Sequence, residues 1–304
     1  MPITLIENFR AVFYAPYYAA FALDAFKAQG LDVRLQSSTD PSKTLATLQS
    51  GAGQVSWGGP MRLLHAINDN PASNLVSFCE VVSHDPFYLI GRMANPTFRM
   101  TDLAGQRLAV VSEVPTPWYC LQYDLKLAGV DKATIKLAPG RTMAENTELL
   151  RAGELDVIQV FEPFAQQLLA EGAGHRWYTA ASRGPATYTT LNTTREFMAR
   201  EPQTVLAMTR AIYRMQQWIA AHDGAAFALL IAGYFPDMPQ ATLAACLTGY
   251  KTTGIWNTNP VQRRAGLEWL REAMISCGAI NARPAFEDVS DMRFAEQVVR
   301  EGVR

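Results

Sequence analysis

The chain has little of what marks several protein classes. No stretch reaches the roughly 18 consecutive apolar residues of a membrane-crossing helix. The start carries no basic segment followed by an apolar one, and the first apolar run begins at Ile3. Two expectations stay open: a cytoplasmic protein, or a periplasmic one whose signal peptide is not part of this chain. Cysteine is scarce. Cys79, Cys120, Cys246 and Cys277 are far apart and form no CxxC pair, so neither a zinc site nor a disulfide framework is signalled, and buried thiols are the ordinary alternative. Neither sign of charge dominates, since 27 Lys and Arg against 28 Asp and Glu leave a formal net charge of -1. There is thus no electrostatic reason to expect nucleic acid or an acidic membrane as a partner. No lysine lies between Lys43 and Lys126.

What is present is the composition of a globular protein, 49% hydrophobic and 18% charged over 304 residues, long enough for two domains. Strand and helix alternate from the start. Ile3 to Ile6 reads as a strand, Glu7 to Tyr14 as a polar and aromatic turn, and the Ala-rich segment after Pro16 as a helix, because proline near a first turn costs no hydrogen bond. Leu31 to Leu35, Gln54 to Trp57 and Leu75 to Glu80 follow as strands, with helices over Pro41 to Ser50 and Met61 to Asn68. This is the order of parallel βαβ units, whose ligands bind at the carboxyl ends of the strands. The loops there hold Asn8, Arg10, Phe13 and Tyr14, then Ser38 and Thr39, then Gly58, Gly59 and Pro60.

The middle third repeats the plan. Arg107 to Ser112, Thr134 to Leu137 and Leu155 to Val160 read as strands, and Trp118 to Ala128, Thr142 to Arg151 and Pro163 to Ala170 as helices, with Thr116 as the expected N-cap of the first and Pro117 at its N1 position. Leu45 to Pro60 and Thr147 to Pro163 are each a helix closed by Gly, then a strand ending at a turn with Pro. Such duplication points to two similar α/β lobes. Asp85 to Arg92 and Ala186 to Thr193 are the expected crossing strands. Residues 1–88 and 192–304 would form lobe one with the C-terminal helices, and 89–191 lobe two.

The opening ENFRAVFYAPYYAAFALDAFKAQGLDV, the segment SGAGQVSWGG, the joint DPFYLIG and the segment DVIQVFEPFA, in that order, resemble the family of substrate-binding proteins for nitrate, sulfonate, taurine and thiamine-pyrimidine uptake, to which fungal pyrimidine synthases are related. The resemblance implies a type II periplasmic-binding-protein fold: two lobes, two crossing strands, a central cleft, a small-molecule ligand and, if exported, an ABC permease as partner. A monomer without cofactor is expected.

Departures from the family shape the functional expectation. The synthases carry pyridoxal phosphate on a lysine just after the position of Gly58, where this chain has Pro60 or its neighbour, and a cysteine cluster where this chain runs from Gly184 to Leu191 without cysteine. That activity is disfavoured. Desulfinase relatives use a cysteine in the first loop, and Glu7 to Tyr18 has none. Sulfonate binders place Gly, Ser or Thr where this chain has Glu113, Pro115 and Pro117, which remove donors and add negative charge.

The expected contacts are therefore Asn8, Arg10, Phe13, Tyr14, Ser38, Thr39, Trp57, Gly58, Gly59 and Pro60 on one side. On the other stand Thr116, Trp118 and Glu162, with His84, Asp85 and Tyr188 at the joints. Phe13, Tyr14, Trp57, Trp118 and Phe161 could line an aromatic pocket. Glu162 could accept hydrogen bonds from an amine or aminopyrimidine, or cap the helix after Pro163; Arg10 and Arg62 could hold a carboxylate, although arginines are more often solvated. His65 reads as structural, and His84 with Asp85 as a hinge hydrogen bond or a ligand contact. The leading expectation is a binder of a small planar, heteroaromatic or aromatic-carboxylate compound for ABC-type uptake. The alternative is a cytoplasmic enzyme or ligand sensor on the same scaffold, of decarboxylase, desulfinase or thiamine-pyrimidine type.

Overall fold

Apolar side chains on both faces of a strand require cover on both faces, and the first strand shows it: Leu5 and Ile6 point opposite ways and both are buried, in different apolar clusters. The computed structural model describes residues 2–302. The strands are β1 (Ile3–Glu7), β2 (Val33–Ser37), β3 (Val55–Gly58), β4 (Leu75–Val82), β5 (Tyr88–Gly91), β6 (Arg107–Ala109), β7 (Lys136–Leu137), β8 (Val157–Val160), β9 (His175–Thr179) and β10 (Thr189–Thr194). The helices of the two sheet units are α1 (Ala15–Ala22), α2 (Thr44–Gln49), α3 (Met61–Asp69), α4 (Thr116–Leu127), α5 (Met143–Arg151) and α6 (Phe164–Ala170). Those of the last third are α7 (Arg195–Arg200), α8 (Pro202–Ala221), α9 (Gly224–Ile231), α10 (Gln240–Thr253), α11 (Arg264–Ser276), α12 (Phe286–Val289) and α13 (Arg293–Glu301).

Two five-stranded sheets form, in the orders β2-β1-β3-β10-β4 and β7-β6-β8-β5-β9. In each, three parallel strands are followed by one antiparallel strand that has crossed from the other unit. The duplication read from the chain is therefore real, down to the place of the crossing strand. The crossing segments also pair with one another, the amides of Ala186 and Tyr188 donating to the carbonyls of Ser83 and Val82 at 3.0 and 2.8 Å. β9 has no counterpart among the expected elements. It is a sheet edge with exposed His175 and Arg176, so it lacks the apolar pattern that marks a core strand.

Two local expectations fail. The helix expected over Pro41 to Ser50 begins as a 3-10 turn, whose first free amide, Ser42, donates to Asp40 at 3.0 Å, and α2 proper starts at Thr44. Thr116 is not an N-cap: Pro115 occupies that position already in the helical region, its carbonyl takes the amides of Trp118 and Tyr119, and the Thr116 hydroxyl makes no hydrogen bond among the described residues. The C-terminal helices do more than cover the first sheet. α8 and α13 pack on β4, while α11 lies on α4, with Trp269 5.3 Å from Tyr123, and α10 touches α6. The C-terminal third therefore bridges both units.

Candidate functional site

The cleft is assembled from strand ends. At the end of β1, Glu7 is buried and accepts from Tyr18 at 2.7 Å, Ser37 at 2.5 Å and Arg10 at 2.8 Å, which fixes the loop that follows. Asn8 adds a second anchor: its Nδ2 donates to the Trp57 carbonyl at 3.2 Å and its Oδ1 accepts from Thr44 at 2.6 Å. A Cβ on Gly58 would stand 2.5 Å from Asn8 Nδ2, so this close crossing of loop and strand requires glycine. Phe13 is thereby pressed across the cleft onto Phe161 from the second unit, ring centroids 5.1 Å apart, and edge-on to Tyr188 at 5.8 Å.

These rings divide the cleft. The larger chamber, of about 570 Å³, has a mostly apolar wall of Phe9 and Val12 from the first loop, Phe161 and Phe164 after β8, Met143, and Phe235 with Met238 from the C-terminal third. Its charged groups are Arg10, Glu113 and Glu162. The smaller chamber, of about 20 Å³, lies on the other side of Phe13, among Asn8, Tyr14, Gly59, Arg62, Thr116 and Tyr188.

Glu162 is 1% exposed, and burial pushes its carboxyl up to about 7 against the hydrogen bonds it receives. Its Oε2 accepts from the Gln166 amide at 2.8 Å and faces the Cys246 thiol at 3.8 Å, while its own amide donates to Tyr250 at 3.0 Å. The helix-cap role is thus present, and Oε1 makes no hydrogen bond among the described residues. Burial and the Glu162 charge push the Cys246 thiol upward, so it is no thiolate nucleophile. Cys79 and Cys120 are fully buried, and burial pushes their thiols up as well.

The expected contacts divide. Asn8, Phe13, Tyr14, Gly59, Thr116 and Tyr188 meet at the smaller chamber, Arg10 and Glu162 at the larger. Trp57 does not reach the cleft. It is fully buried behind Tyr14 and stacked on Tyr17 at 4.5 Å. Trp118 is also misplaced: two residues along α4 turn it roughly 200° from Thr116, onto the apolar cluster of Leu103 and Leu108. Ser38 caps its own turn, bonding the Asp40 amide at 3.2 Å, and Thr39 is exposed. Gly58 and Pro60 shape the β3–α3 turn without lining either chamber. Asp85 is committed to Arg183 at 2.6 Å and to the Phe87 amide at 3.0 Å, and His84 bonds Ser83 at 3.0 Å. Both serve the joint. Missed were Phe9, Met143, Phe164, Phe235 and Met238. Met143 follows the β7 strand end and was findable by the same rule as the others, whereas nothing local marks Phe235 or Met238.

Among the described residues no group of three or more His, Cys, Asp and Glu side chains could hold a metal ion, and no helix is long and apolar enough to cross a membrane.

The two sheet units with exchanged strands and a cleft between them define a type II periplasmic-binding-protein fold. The chain belongs to the NMT1/THI5-like family, whose model matches residues 12–226. YtlA of Bacillus subtilis (strain 168), named as a binding protein, is 23% identical over 301 residues, covering 98% of this chain and 90% of that one. The periplasmic aliphatic sulphonate binding protein SsuA from Escherichia coli superposes with a TM-score of 0.77 at 12% identity over 94% of this chain and 96% of that one. The desulfurization enzyme DSZB superposes with a TM-score of 0.71 at 15% identity, covering 98% and 99%. The structural likenesses, at such identities, show a shared fold.

Proposed function

We propose that the protein is a solute-binding protein of an ABC-type import system that clamps a small ligand with a flat apolar body between its lobes. The observation that carries this reading is the chamber of about 570 Å³, walled by aromatic and thioether side chains from both units, with one buried carboxylate at its side. Its size and lining are those of ordinary small-molecule sites. The names of YtlA and SsuA support the binding role, and the lack of a cysteine in the first loop and of an ionised thiol in the cleft argues against cysteine-based turnover. Residues 1–88 with 192–304 would move as one lobe against 89–191, as a monomer, and deliver the ligand to a permease outside the cytoplasm. The fold shared with DSZB favours one competing reading, an enzyme using the same chamber.

Thermal-shift screening with aminopyrimidines, aromatic acids and sulfonates should find a stabilising ligand that is recovered unchanged after incubation. Conversion of that ligand would sink the proposal in favour of the enzyme. Glu162→Ala should weaken binding by about 1.5 to 3 kcal/mol, the usual worth of a hydrogen bond to a charged group; an unchanged Kd would leave Glu162 as a helix cap only.

A further inference from the structure

The smaller chamber holds a charge without a counter-charge. Arg62, the second residue of α3, is partly buried, and its guanidinium makes no hydrogen bond or ion pair among the described residues. Arginine presents five donors in a planar fork and stays protonated. Among the described residues no carboxylate lines the chamber; the one that acts on Arg62 is Asp40, which is bonded to Ser42 and paired with Lys43. A second observation is independent of the first. Tyr188 is 5% exposed, and its hydroxyl is buried with no hydrogen-bond partner among the described residues. A hydroxyl held that way is costly unless something fills its need. Thr116, also 5% exposed and released from helix capping, brings a third uncommitted donor. Asn8 faces the same space with its amide already bonded on both sides.

We infer that Arg62, with the hydroxyls of Tyr188 and Thr116, forms a subsite for the carboxylate of the ligand whose flat body the larger chamber takes. This rests on the binding role proposed above and deepens it by assigning the ligand class, an aromatic acid. Three donor groups in the wall select an anion, since the one carboxylate that acts on Tyr188, Asp85, lies behind the wall and is already paired with Arg183, and a planar two-oxygen head matches the fork of a guanidinium bidentately. The volume agrees: about 20 Å³ is the space of one or two water-sized groups, enough for carboxylate oxygens and too little for a ring. Phe9 lines both chambers, so a ligand with its head in one and its body in the other would pass beside that residue.

Calorimetry and thermal shift with benzoate, phenylacetate and indole-3-acetate, each beside its primary amide, and with benzenesulfonate and 4-aminopyrimidine, test the assignment. The acids should bind at least tenfold tighter than their amides and tighter than the sulfonate. Arg62→Gln should abolish the acid preference while leaving amide binding within about threefold, and Tyr188→Phe should reduce it partially. A melting transition like that of the parent protein checks folding of both variants. Equal binding of acids and amides, an acid preference that survives Arg62→Gln, or a sulfonate that binds tighter than the acids overturns the inference while the binding role stands. No response from any compound overturns the inference together with the reading beneath it.

Discussion

Two arginines of this molecule, Arg183 buried and Arg62 half-buried, stand under opposite circumstances. Arg183, on the returning crossing segment, has its side chain 5% exposed and is ion-paired with Asp85, fully buried on the outgoing segment, and Asp124 on α4. It also lies 5.0 Å over the Trp269 ring of α11. Arg62, facing the cleft, has none of this. The first joins both crossing segments, the second unit and the C-terminal helices through one side chain; the second is held ready with its donors unused. A buried charge surrounded by partners is a structural part. One without them is a recognition element, because sites that must bind something else cannot be satisfied internally.

The comparison is broken most directly at Arg183. Replacing it with alanine leaves Asp85 and Asp124 buried together without a cation, and losing one side of such a pair costs about 3 to 5 kcal/mol. Urea unfolding should show a loss of that size. A change below about 1 kcal/mol would mean that the joint does not depend on the cluster, and the contrast with Arg62 would lose its first half.

Glu162 stands between these extremes, capped on Oε2 and open on Oε1, and its titration measures how dry the chamber is. An unfolded glutamate ionises near its ordinary value of 4.5, whereas the folded one ionises near 7. Between those values the folded state binds more protons than the unfolded one, so stability is fully present below about 4.5 and falls as pH rises to about 7. Glu80, buried beside Asn257 and also raised to about 7, adds a fall of the same sign. Glu162→Gln should therefore remove only its own share. Relative to the parent, the variant should gain about 3 kcal/mol between pH 4 and pH 8, from 1.36 kcal/mol per unit. A difference that does not change with pH would show a hydrated chamber and a normally acidic carboxyl.

Which parts of this contrast the chain discloses by itself follows from the range of the forces involved. The strand-end rule placed Asn8, Phe13, Tyr14, Gly59, Thr116 and Glu162 at the cleft, because a parallel sheet sends every such loop to one edge, and the expected crossing joint placed Tyr188 there. Trp57 and Trp118 were misplaced for reasons of phase: one side chain lies on the covered face of its strand and the other turns away along a helix. The pairing of Arg183 with Asp124 spans 59 residues, and the return of Phe235 and Met238 depends on how α9 and α10 settle; neither leaves a periodic trace. Arg62 was named beside Arg10 as able to hold a carboxylate, with nothing in the chain to separate it from a solvated arginine. An arginine is ordinary on a helix, and what distinguishes this one, the lack of a partner, exists only once the chain has folded around it.

The smallest effect gives the sharpest form of the comparison. In the absence of ligand, Arg62→Gln removes a charge that burial penalises and whose guanidinium has no hydrogen-bond or ion-pair partner among the described residues. Glutamine also keeps most of the aliphatic stem that packs at the chamber wall. Stability should then be unchanged or higher by up to about 1 kcal/mol, while the same type of change at Arg183 is costly. Chemical denaturation of the two variants side by side reads this directly. If Arg62→Gln lost as much stability as an Arg183 variant, its guanidinium would have to be satisfied within the protein, and the smaller chamber would be a buried ion-pair site rather than one waiting for an acid.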